Sequence, residues 1–96
     1  MTTTRQVSIV RDIEIVNKRG LHARASARFV QLAGSFEAEV TVEKDGVSVG
    51  GTSIMGLMML AASPGCTIRV TATGADAAPA MAALETLIAN RFGEEA

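Results

Sequence analysis

The chain has no Trp, no Tyr and only three Phe. Proteins that hold unpaired bases need aromatic platforms to stack them, so single-stranded nucleic-acid binding is a poor fit. The one cysteine, Cys66, cannot build an internal disulfide framework. One Cys and one His cannot complete a structural zinc site either. Net charge is −1, so no overall basic footprint for a duplex is present. No apolar run approaches the roughly 20 residues that cross a bilayer. The longest, residues 54–62, is short and interrupted by Gly56. Met1 to Gln6 lacks the apolar centre of a signal peptide. The expectation is a soluble, cytoplasmic protein with no nucleic-acid partner, no membrane insertion and no metal.

Hydrophobic residues supply 48% of the 96 positions, enough for one small domain spanning 1–96. Its core must be Val, Ile, Leu, Met and Ala. Residues 1–8 read as a flexible N-terminal extension. Charge is unevenly placed. Residues 1–36 carry six cations against two carboxylates, for +4, and residues 37–96 carry three against eight, for −5. Lys18, Arg19, Arg24 and Arg28 bracket the only histidine, His22. Such a cluster attracts a phosphate or an acidic surface, although a solvated basic face is the commoner fate of such a run.

Periodicity gives the elements. Residues 11–16 alternate as a strand, and residues 17–20 turn. Residues 23–33 shift to helical spacing, with Ala23, Ala27 and Val30 on one face, Phe29 and Ala33 beside them, and Arg24, Arg28 and Gln31 opposite. Residues 36–42 alternate again. Lys44-Asp45-Gly46 is a hairpin turn leading to a return strand through Val47 and Val49. Residues 53–62 read as a short apolar helix ended by Ser63-Pro64-Gly65, and residues 67–73 as a fourth strand. The last helix opens near Asp76 as N-cap, carries its apolar stripe as far as Phe92, and meets a C′ residue at Gly93. The order is βαββαβα. The class is α+β: a four-stranded antiparallel sheet with three helices on one face and the other face solvated.

Two segments could carry chemistry. Gly20-Leu21-His22-Ala23-Arg24 sits where a strand turns into a helix. At a helix N-terminus, unpaired N–H groups and a partial positive charge favour a phosphoryl group. Arg24 can add a planar guanidinium fork. Spacing alone also fits a plain surface histidine. The second segment, Thr52 to Leu60, starts with Ser53, a natural N-cap, and that structural role alone would justify the serine. The helix after it is uncharged and holds three methionines, which suit a surface that docks several partners. Simple core is the blander reading.

Together, Gly20-Leu21-His22-Ala23-Arg24-Ala25-Ser26 and Thr52 to Leu60 resemble the two signature sites of the HPr family. These are the histidine phosphocarriers of the bacterial phosphotransferase system. The resemblance spans essentially the whole chain and implies an open-faced β-sandwich. It implies that His22 accepts phosphate from enzyme I, charged by phosphoenolpyruvate, and passes it to an enzyme IIA-type acceptor. Arg24 would steady the phosphate. Ser53 would be the regulatory serine of an HPr kinase/phosphorylase. Ile54, Met55 and Met58, with Arg28, would belong to the docking surface. A monomer with no cofactor is expected, a carrier and not an enzyme. Ala25 stands where many members have proline, as in proteobacterial and nitrogen-related members. Thr52 stands where lysine often precedes the serine. The alternative is a small phosphate-handling enzyme of the acylphosphatase type. Such enzymes need a glycine-rich cradle before the first helix, which residues 18–22 do not supply.

Overall fold

The computed structural model describes residues 7–95. Four strands form one antiparallel sheet in the order β1-β4-β2-β3. They are β1 (Ser8–Glu14), β2 (Glu39–Lys44), β3 (Val47–Gly50) and β4 (Thr67–Thr73). The helices are α1 (Ala23–Ala33), α2 (Ile54–Met59) and α3 (Ala77–Ala89), followed by a 3-10 turn, Arg91–Gly93. α3 packs on β1 and β4, α1 packs against α2 and α3, and α2 lies beside β3. This is the βαββαβα order expected from periodicity and the open-faced sandwich that the resemblance implies.

Alternation places Val40, Val42, Ile68, Val70 and Ala72 in the core. Phe29, Leu57, Met81, Leu84 and Ile88 meet them from the helices. The open face carries polar rows such as Asp12, Arg69 and Glu43, which pair directly across three strands. The Arg69 guanidinium donates to Asp12 at 2.9 Å and holds that carboxyl below its usual range.

Several boundaries differ from the sequence reading. β1 begins at Ser8, opposite Thr73, and Gly74 N–H donates to the Val7 carbonyl at 2.9 Å. Val7 and Ser8 are therefore part of the sheet edge, whereas residues 1–6 of the expected extension lie outside the described residues. β1 ends at Glu14, yet Ile15 beyond it is fully buried, tied to the β4 side by its bond to the Cys66 carbonyl. β2 starts at Glu39 and not at Phe36, because β4, its partner in the sheet, ends at Thr73. The buried face of α1 is Ala25, Ser26, Phe29 and Ala33, with Ala23 exposed. The single large side chain, Phe29, sets that rotation. α2 stops at Met59 because Ala61 turns to φ +52°.

The end of the chain departs most. Asp76 does not cap α3 with its side chain. Its carboxylate accepts from Glu37 N–H at 2.7 Å and ties the α1–β2 connection to the start of α3. α3 ends at Ala89, and Arg91, Phe92 and Gly93 all take positive φ, at 56°, 55° and 81°. For non-glycine residues that costs about 1–2 kcal/mol each. Burial offsets it. Phe92 is 0% exposed and plugs the core, while its carbonyl accepts from the Arg28 guanidinium. Phe92→Ala should cost about 3–5 kcal/mol, as a buried aromatic truncation does, and release the turn. Thermal unfolding checks this, with a fall in Tm well beyond that of exposed Val47→Ala.

Candidate functional site

His22 sits at the N-cap of α1 in an extended conformation, and its carbonyl accepts from Ser26 N–H at 2.9 Å. Its two neighbours in the fold hold it there. Leu21 is buried and its N–H donates to the Ala62 carbonyl at 2.9 Å, so the turn before α1 is bonded to the chain just after α2. Ser26, fully buried, donates from its hydroxyl to the Leu21 carbonyl at 3.2 Å. Gly20 has φ +65°, and a Cβ there would lie 2.3 Å from the Ala62 carbonyl oxygen. Only glycine allows this approach.

The imidazole lines a cleft of about 350 Å³ with Lys18, Arg19, Arg24 and Glu94. The three cationic residues are exposed. The first N–H groups of α1 have no intrahelical partner and carry the positive end of the helix dipole. The site is thus built to attract an anion through backbone donors and solvent-facing cations. Among the described residues, Arg24 makes no side-chain hydrogen bond.

One partner in this cleft was invisible in the sequence. Glu94 Oε2 lies 2.6 Å from His22 Nε2. Its other oxygen accepts from Asn17 Nδ2 at 3.1 Å, and the same Asn17 amide donates to the Gly20 carbonyl at 2.8 Å. A carboxylate beside the histidine was not expected from the nearby sequence. It comes from the far end of the chain, brought in by the turn that buries Phe92. Burial pushes the Glu94 carboxyl up, but hydrogen bonds from His22 and Asn17 and the charges of His22 and Arg19 outweigh it and hold the group below its usual range.

Arg28 stands outside this cleft, committed to the Phe92 carbonyl. Its first duty here is to fasten the turn that delivers Glu94. Ser53 caps α2 as expected, accepting from Gly56 N–H at 3.0 Å, and is itself exposed. Ile54, Met55 and Met58 are 40%, 70% and 40% exposed, whereas Leu57 and Leu60 are buried. Met59, not singled out by spacing, is 76% exposed and widens the same apolar face. Among the described residues, no group of His, Cys, Asp and Glu could hold a metal ion, and no helix is long and apolar enough to cross a membrane.

A histidine at a helix N-terminus, with Lys18, Arg19 and Arg24 around it, is an arrangement suited to attracting a phosphoryl group. The family described as "PTS HPr component phosphorylation site" matches residues 9–90. The phosphocarrier protein HPr of Cupriavidus necator is 55% identical over 84 residues, covering 88% of this chain and 94% of that protein. That of Neisseria meningitidis serogroup A is 57% identical over 82 residues, covering 85% and 92%. The crystal structure of HPr-C-His from Thermoanaerobacter tengcongensis superposes with a TM-score of 0.82 at 45% identity, covering 97% of this chain and 100% of that one. The chain belongs to the HPr family of phosphotransferase-system phosphocarriers. These are carriers and not enzymes, which removes the acylphosphatase alternative.

Gly20 is the residue on which this geometry tests most directly. Gly20→Ala should cost at least about 1–2 kcal/mol from the left-handed backbone alone, with the clash on Ala62 added. The expected result is a fall in Tm together with slowed phosphorylation of the molecules that remain folded.

Proposed function

We propose that His22 is the phosphoryl acceptor, taking the group from phosphorylated enzyme I and giving it to an enzyme IIA-type acceptor in the cytoplasm. The observation that supports this most is the division of labour on the imidazole. Nε2 is engaged by Glu94, which leaves Nδ1 as the ring nitrogen free to attack. In that attack the Nδ1 lone pair forms a bond to phosphorus. The bond from phosphorus to the donor breaks, and its electron pair leaves with the donor. Transfer onward reverses these steps with the acceptor as nucleophile. Arg24, exposed on the first turn of α1, offers a planar fork to the phosphoryl oxygens as it arrives and leaves.

Since His22 is the only histidine, phosphoramidate chemistry has one candidate. His22→Ala should keep its fold, since the imidazole makes no cap bond and losing its one part-buried bond to Glu94 costs about 1–2 kcal/mol. It should accept no label from phosphoenolpyruvate and enzyme I. An acid-labile phosphoprotein from this variant would overturn the assignment.

The exposed face of Ile54, Met55 and Met58, with Met59, is the proposed docking surface for both partners, and Ser53 is its proposed control point. A phosphate on Ser53 would meet the positive end of α2, so the fold tolerates it. Its charge would border the apolar face, where burial of an unpaired charge against a partner is costly. Ser53→Asp should therefore slow phosphorylation of His22 by enzyme I at nearly wild-type Tm. Ser53→Ala should lose about 0.5–2 kcal/mol with its cap bond yet still accept phosphate. Equal rates for the Asp variant and wild type would reduce Ser53 to a structural cap.

A further inference from the structure

Asn17 is fully buried, and its amide is oriented by its surroundings. Nδ2 reaches both the Gly20 carbonyl at 2.8 Å and Glu94 Oε1 at 3.1 Å. Turning the amide over would set Oδ1 against two oxygens, a carbonyl and a carboxylate, neither of which can donate. The present orientation leaves Oδ1 buried with no partner among the described residues. The structure therefore accepts one unsatisfied atom in order to keep Nδ2 as donor to both. The carbonyl of Gly20 is an acceptor that cannot change its role. Direction then passes along the chain of groups: Gly20 accepts, Asn17 donates, Glu94 accepts on one oxygen and faces Nε2 with the other. A neutral imidazole donates from one ring nitrogen and accepts at the other.

We propose that Asn17 and Glu94 are positioning residues for phosphoryl transfer, a directed hydrogen-bond relay that holds a proton on His22 Nε2 and so leaves Nδ1 as the nitrogen with the lone pair. The inference rests on the reading of His22 as acceptor and adds the groups that select its nucleophilic atom. When Nδ1 bonds to phosphorus, the ring keeps the Nε2 proton and gains positive charge. The Glu94 carboxylate already faces that proton, so no group must move to oppose the charge. Arg19 adds its charge toward Glu94 and favours the ionised carboxylate.

Two substitutions separate this role from a general structural or electrostatic one. Glu94→Ala removes the partner and leaves the ring to water. Glu94→Gln keeps the shape but has one acceptor where Glu has two. Asn17 claims that oxygen, so the Gln amide turns its N–H toward Nε2 and favours the opposite tautomer, with the proton on Nδ1. The Gln variant should therefore be worse than the Ala variant, the reverse of what isosteric replacement usually gives. The measurement is the ring 15N spectrum of neutral protein, where the single histidine needs no assignment, together with rates of phosphorylation by phosphoramidate and by enzyme I. Wild type should show Nε2–H, Ala a mixture, and Gln a shift to Nδ1–H. Rates should fall in the same order, with Gln about tenfold or more below wild type, as expected when a histidine is held in the wrong tautomer. Matching Tm values confirm that folded molecules are compared. Wild-type ring signals in both variants, or a Gln variant closer to wild type than Ala, would overturn the relay. Failure of wild type to be labelled by enzyme I would instead count against His22 as acceptor, and the ring signals would still decide the tautomer.

Discussion

The hydrogen bond from Leu21 N–H to the Ala62 carbonyl, 2.9 Å long, is the contact around which this molecule is arranged. It joins the entry to α1 to the exit from α2, two places 41 residues apart in the chain. Gly20 makes the approach possible, and buried Leu21 and Ser26 keep it from shifting. Because of it, the histidine and the apolar face of α2 belong to one stiff assembly. The docking face proposed at Met55 and Met58 would thereby be held in register with His22. Phosphoryl transfer needs such registration, since in-line attack tolerates little misplacement.

A second constraint acts from the other end of the chain. Arg91 and Phe92 take a strained turn because Phe92 must enter the core. The same turn carries Glu94 back to the imidazole. Core packing and the cleft are thus coupled: the burial that stabilises the fold also places a carboxylate beside the histidine. Arg28, read from the sequence as one of the cations around His22 and as part of a docking surface, fastens this turn through the Phe92 carbonyl.

This coupling explains what could and could not be seen in the sequence. The strands, the helices and their order follow from period-2 and period-3.6 patterns, which are local. The helix-start positions of His22 and Ser53 were legible because the change to helical spacing after each is local. Glu94 was not, because nothing near Phe92-Gly93-Glu94 signals a partner 72 residues away, and tertiary packing alone brings it in. Asn17 looked like an ordinary turn residue, and only the fold shows it buried and bonded to both Gly20 and Glu94. The end of α3 was misjudged for a related reason. Phe92 continues the apolar stripe of a helix, so the pattern cannot show that the backbone reverses hand to bury it.

The distribution of charge then bears on what a carrier must do, which is to hold a phosphoryl group well enough to receive it and loosely enough to release it. Lys18, Arg19 and Arg24 are all exposed, so their attraction is screened by water and salt. A buried cation paired with the phosphate would bind it far more tightly and raise the barrier to passing it on. The fixed part of the site is instead the N–H groups of α1 and the Glu94 carboxylate, held in place by the Asn17 amide. Groups already in position need little rearrangement as charge comes and goes.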